Sequence, residues 1–216
     1  MTFLNLRPLM CGVLVLFMST PALTAETVSF FESGDLQGWK EKSFEGKTTY
    51  DLGDEVINAQ CNGAASSLYM EKSVDLDKTP YLHWSWQASS QTDLGNVEER
   101  EKGGDDFAAR IYAVVNTGRI IPHVLTLNYV WSQNEEVGSS WPNPFYDKAM
   151  MVVINNRKDD DRFLSNTRNV KEDFMQYFGK DIAEIDGIAL MTDCDNTGGQ
   201  ARATYGAVYF SSDATE

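Results

Sequence analysis

The sequence predicts an all-β sandwich, built as a single domain with one short helix, and three observations carry that expectation. Short runs in which apolar and polar residues alternate recur along the chain, at the two-residue period of a half-buried strand. Clusters of Gly, Pro, Asn and Asp separate these runs. Only one stretch, Val170 to Phe178, has helical spacing, which is too little helix for the alternating βαβ units of a parallel sheet.

The ends and the composition bound the rest. Arg7, an apolar run from Leu9 to Met18, and the small-residue stretch through Ala22 to Ala25 have the pattern of a secretory signal peptide, cleaved after Ala25 or after Ala22. The run is too short to span a membrane, and Cys11 within it lacks the small-residue context of a lipidation site. The expected product is a periplasmic or secreted domain over residues 26–216 with no membrane span. Its 18 basic and 32 acidic residues, net charge −14, argue against nucleic acid and against anionic membrane surfaces. Solubility alone accounts for such a charge. Export permits a disulfide between Cys61 and Cys194. Those two cysteines with His83 and His123 contain no close-spaced pair, which argues against a zinc site.

In chain order, Val28 to Phe31 is a first strand, followed by a turn-rich loop from Glu32 to Trp39. Thr48 to Leu52 and Glu55 to Ala59 are strands around a Gly53-Asp54 turn, and Ala64 to Met70 is another; Lys72 to Pro80 is polar and ends on a breaker. Tyr81 to Gln87 alternates, with Leu82, Trp84 and Trp86 on one face. Ser89 to Gly104, with its charge run, reads as a mobile, solvated loop. Phe107 to Val115 is the central strand: Phe107, Ala109, Ile111, Ala113 and Val115 form one face, Arg110 and Tyr112 the other. A turn at Asn116 to Arg119 leads to a strand from His123 to Trp131. Ser132 to Tyr146 is a long Gly-, Ser- and Pro-rich loop carrying Trp141. Ala149 to Asn155 is an apolar strand, and Asp159 to Asp161 a solvated turn. The helix is capped by Asn169 and stopped by Gly179. Ile185 to Thr192 and Thr204 to Phe210 close the set.

Several of these segments resemble a known family. Gly104-Asp105-Asp106-Phe107-Ala108-Ala109-Arg110, Tyr129-Val130-Trp131, Arg168-Asn169-Val170 with Asp173-Phe174, and Met191-Thr192-Asp193-Cys194-Asp195-Asn196-Thr197 are similar to the bacterial exported family catalogued as domain of unknown function 3047. Cys194 departs from that pattern, which has a small or polar residue between the two aspartates. The resemblance supplies a grouping without an activity. The ends, Phe31-Glu32 with Gly38-Trp39 and Tyr205-Gly206-Ala207-Val208-Tyr209-Phe210, resemble galactose-binding-like jelly rolls and carbohydrate-binding modules; this is a likeness of architecture.

The polar residues offer three constellations. Asp105, Asp106 and Arg110 form either a ligand clamp or a structural ion pair. Tyr112, Tyr129, Trp131 and Trp141 are aromatics of the kind that stack on the CH-rich faces of sugars; Trp141, in a polar loop, is the candidate for an exposed platform, whereas Trp84 and Trp86 read as core. Asp193 and Asp195 fall at alternate positions with Gly198 behind them, the front half of a calcium loop, but Thr204 stands where the bidentate acid belongs; a tight turn explains the spacing as well. No nucleophile or metal-protease motif is present, so no residue is assigned as catalytic and no cofactor beyond a candidate calcium ion. The leading expectation is a non-catalytic module that binds a carbohydrate or other small ligand. The alternatives are a carboxylate-dependent glycoside hydrolase, pairing Asp105 or Asp106 with Asp193 or Asp195, and a structural envelope protein with a protein partner.

Overall fold

A computed structural model describes residues 26–31, 35–118 and 123–215. The signal-peptide reading of residues 1–25 lies outside these residues, as do Glu32 to Gly34 and Arg119 of the two expected turns. The strands are β1 (Thr27–Phe31), β2 (Lys40–Glu45), β3 (Thr49–Leu52), β4 (Ile57–Asn62), β5 (Ala65–Asp75), β6 (Tyr81–Ala88), β7 (Ala109–Asn116), β8 (Val124–Ser132), β9 (Ser140–Pro142), β10 (Ala149–Asn156), β11 (Leu164–Asn169), β12 (Glu184–Asp193) and β13 (Gln200–Ser211), with helix α1 (Val170–Phe178) between β11 and β12. Two sheets face each other. One has the order β11-β6-β13-β4-β3, with β1 also paired to β13; the other has the order β2-β5-β12-β7-β8-β10-β9. The pairs that flank the central strand β7 are antiparallel, whereas β8 and β10 are parallel. The protein is an all-β sandwich, as the alternation predicts.

The core lies between the sheets. Leu82, Trp84, Trp86 and Ala88 of β6 meet Ala109, Ile111, Ala113 and Val115 of β7 and Leu125, Leu127, Tyr129 and Trp131 of β8. Trp84 stacks on Tyr129 at 5.3 Å between ring centroids, and Trp86 meets Trp131 edge-on at 6.0 Å. The polar tips of three of these rings are satisfied, as burial requires. Trp86 Nε1 donates to Asn155 Oδ1 at 2.7 Å, Trp131 Nε1 to Asp160 Oδ1 at 2.9 Å, and the Tyr129 hydroxyl to Asp173 Oδ2 at 2.6 Å. Helix α1 closes one end. Its N-cap Asn169 accepts from Glu172 N, Gly179 ends it in the left-handed conformation, and Val170 and Phe174 enter the core.

Several expectations are corrected. Strands β2, β9 and β11 carry no strand signal in the sequence: β2 is exposed throughout, β9 is three residues long with only Trp141 buried, and β11 has no fully buried position. Phe107 does not join the inward face of β7. It packs outside the sheet with Val130, Trp141, Met151 and Val153, because the strand begins only at Ala109. The loop before it is not simply solvated: Glu99 is buried, accepting from the Ser132 hydroxyl and from Gln133 N at 2.7 Å. Asp160 braces Trp131, and Asp161 accepts from Ser90 N at 3.0 Å, so the aspartate run is a brace and not a free turn.

Candidate functional site

The two signature segments of the sequence meet at the end of β7 and β12. Antiparallel pairing sets Met191 of β12 against Arg110 of β7, which brings Asp193 to the guanidinium. Arg110 Nε donates to Asp193 Oδ1 at 2.9 Å and Nη2 to Asp193 Oδ2, a bidentate fork of the kind that is both stronger and more directional than a single charged contact. Nη2 also donates to the Asp105 carbonyl. Asp193 Oδ1 accepts from Phe107 N at 3.1 Å, and the guanidinium lies over the Phe107 ring at 4.4 Å. Asp106 has a different task. It accepts from Asn196 N at 3.2 Å, Asn196 Nδ2 at 3.1 Å and Thr197 N at 2.7 Å, so it folds the loop after β12. Gly104 fits because a Cβ there would collide with the Glu98 carbonyl.

Electrostatics follow from this packing. Burial pushes the Asp193 carboxyl well above the ordinary range, with Arg110 opposing. Burial works against the Arg110 charge, but Asp193 and the neighbouring carboxylates outweigh it and hold that group charged. Asp105 and Asp195 are also raised, chiefly by burial.

Cys61 of β4 is joined to Cys194 by a disulfide, with Cα atoms 6.2 Å apart. The bridge links the two sheets beside the site. Asp106, Asp193 and Asp195 each bring an oxygen within 4.8 Å of the others. However, both Asp193 oxygens are held by Arg110 and those of Asp106 by N–H groups. The positive charge of this cluster is the guanidinium, and a calcium ion held by Asp193 would have to displace it.

Arg110 and Tyr112 open onto a groove on the outer face of the seven-stranded sheet. It encloses about 520 Å³ and continues past Tyr112 and Met191 into a second depression of about 410 Å³. Phe44, Phe145 and Tyr146 form its rim, exposed at 56 %, 55 % and 44 %. Asn143 ties rim to floor. Its Oδ1 accepts from Phe145 N at 2.9 Å and Tyr146 N at 3.2 Å, while its Nδ2 donates to Asp105 Oδ2 at 2.7 Å. Tyr146 is further fixed by its hydroxyl donating to the Val124 carbonyl at 2.7 Å. A separate cleft of about 310 Å³ on the other sheet, lined by Asn58, Gln60, Gln87 and Arg202, has no comparable aromatic rim.

Of the expected ligand-binding residues, Asp105, Arg110 and Tyr112 line the groove. Asp106 lies behind it as a loop anchor. Tyr129 and Trp131 do not reach it, because their strand turns them into the inter-sheet core. Trp141 is only 6 % exposed: β9 pairs with β10 and folds the ring onto Phe107, at 6.4 Å between centroids. It supports the wall and is no platform. The rim aromatics that sequence reasoning missed, Phe44, Phe145 and Tyr146, sit in polar or irregular segments without a periodic signal; the Asn-Pro-Phe-Tyr turn was the available hint.

The model of the family described as "Protein of unknown function (DUF3047)" matches residues 37–209. No curated protein matches the chain. Among solved structures it is similar to a family 29 carbohydrate-binding module, in a mutant form complexed with mannohexaose, at 13% identity and TM-score 0.43, over 88% of this chain and 94% of that one. Another structure of a family 29 module is similar at 13% identity and TM-score 0.43, over 88% and 90%. No helix among the described residues is long and apolar enough to cross a membrane.

Proposed function

The chain belongs to the DUF3047 family, and we propose that it is an exported, non-catalytic module whose groove on the seven-stranded sheet binds a carbohydrate. The observation that carries this reading is the pairing of exposed rings with unmet acceptors. Phe44, Phe145 and Tyr146 present flat apolar surface at the rim. Beneath them, Asp105 Oδ1 and Asn128 Oδ1 are buried without a hydrogen-bond partner. Each such atom costs about 1–3 kcal/mol unless something supplies a donor. A sugar supplies both halves: CH-rich faces for the rings and hydroxyl donors for the oxygens.

The test is titration calorimetry, with tryptophan and tyrosine fluorescence, against a panel of neutral and charged oligosaccharides. Binding is expected, and Phe145→Ala is expected to weaken it by about tenfold, the scale of an interface hot spot. No response to any glycan would overturn the reading. Release of reducing ends on incubation would replace it with the hydrolase reading. There Asp195 would be the acid to examine, since Asp193 and Asp106 already have their oxygens engaged.

A further inference from the structure

We infer that the Asp105 end of the groove is a subsite for a protonated primary amine on the bound glycan, so that the ligand class is an amino sugar with a free amino group. This rests on the carbohydrate reading and sharpens it. Asp105 is 5 % exposed. One of its oxygens is occupied by Asn143 Nδ2, and the other accepts no hydrogen bond. Arg110 Nη1 lies 3.6 Å from that second oxygen, beyond hydrogen-bond reach. The Nε and Nη2 of Arg110 are committed to both oxygens of Asp193 and to the Asp105 carbonyl, so this one cation is shared between two carboxylates and reaches Asp105 Oδ1 only as an ion pair without a hydrogen bond. Asp105 is therefore a buried carboxylate that retains unspent acceptor capacity and incomplete charge compensation.

The neighbours point the same way. Asn128, on the floor of the same groove, donates through Nδ2 to Met151 Sδ at 3.2 Å and leaves Oδ1 unmet. The two unpartnered buried polar atoms of the groove are thus both acceptors. Asp195 adds a third carboxylate to the lining. The other lining cation, Lys42, has its Nζ over the Phe44 ring at the rim, 4.9 Å from the centroid. A hydroxyl offers one donor and no charge. An ammonium offers three donors and the missing positive charge. A uronate, sulfate or phosphate would place an anion against these oxygens and is disfavoured.

The experiment compares three oligosaccharides of equal length against the intact protein by calorimetry: a β-linked glucosamine oligomer, its fully N-acetylated counterpart, and a neutral glucose oligomer. The free-amine oligomer should bind at least about tenfold more tightly than either of the others, the scale of a charge-assisted hydrogen bond. Asp105→Asn keeps the shape and an acceptor for Asn143. It should abolish that preference, bringing the free-amine oligomer to the affinity of the other two, with circular dichroism and melting temperature confirming the fold. Equal binding of all three glycans would overturn the amine subsite and leave the carbohydrate reading standing. An unchanged preference in Asp105→Asn would overturn it too. Binding of spermidine with no response to any oligosaccharide would overturn both.

Discussion

Arg110 shows how one residue divides between scaffold and site. Its fork to Asp193 is buried on both sides, so removing one partner strands a charge. Asp193→Asn is expected to destabilise the protein by about 3–5 kcal/mol, read as a fall in denaturation midpoint; a change within error would show that Asp105 suffices as counterion. A second buried acid, Glu99, gives a pH signature. Burial raises its carboxyl above the ordinary 4.5, so the folded protein holds that proton more readily than the unfolded chain. Its contribution is present at low pH and is lost as pH rises from the ordinary value through the raised one. A melting-temperature profile of Glu99→Gln should accordingly be flatter than that of the wild type across this window; parallel profiles would sink the assignment. At this scale the sequence was half legible. Period-two alternation alone places Arg110 opposite Ile111. Nothing local identifies Asp193 as its partner, because the contact spans a sheet pairing between distant segments. Trp141 misled for the opposite reason: its loop composition implies exposure, and the short pairing with β10 that buries it leaves no periodic trace.

Strands with one buried face announced themselves, and those without one did not. Tyr81 to Ala88 and Ala109 to Asn116 alternate because each has the core on one side. Lys40 to Glu45 is exposed at every position, so its place at the edge of the seven-stranded sheet follows from hydrogen bonding with β5, a tertiary cause. Its Lys and Glu side chains also discourage pairing with other chains. Between β5 and β12 the register shifts between Ile185 and Gly187. There the β5 backbone passes so close that a Cβ on Gly187 would collide with the Met70 carbonyl. Gly187→Ala is therefore expected to cost about 1–3 kcal/mol, measured by urea denaturation, whereas Gly103→Ala, with open space around it, should be close to neutral. Equal costs would mean that the bulge relaxes freely.

For the whole molecule, the Cys61–Cys194 bridge ties the sheets together across 133 residues. Reduction should lower stability by about 2–5 kcal/mol. It should also loosen the loop that Asp106 folds, so thermal melts with and without reductant are expected to separate clearly; superimposed melts would assign the bridge no role in the fold. Fold class was readable from pattern. The groove was not, because it is assembled from β2, β7, β8, β12 and the turn before β10, none of which is complete alone.

Strand β1 lies against the last residues of β13, with Ser212 N donating to the Glu26 carbonyl at 3.1 Å. Both ends of the domain thus leave from the sheet on the far side from the groove. Any polypeptide attached at either end, whether a tether to an envelope or a reporter fused for imaging, would hold the domain by its back and leave the groove turned outward. Fusions at the two ends should therefore retain equal glycan affinity, which makes this a domain suited to display in arrays where many copies meet one polymer at once.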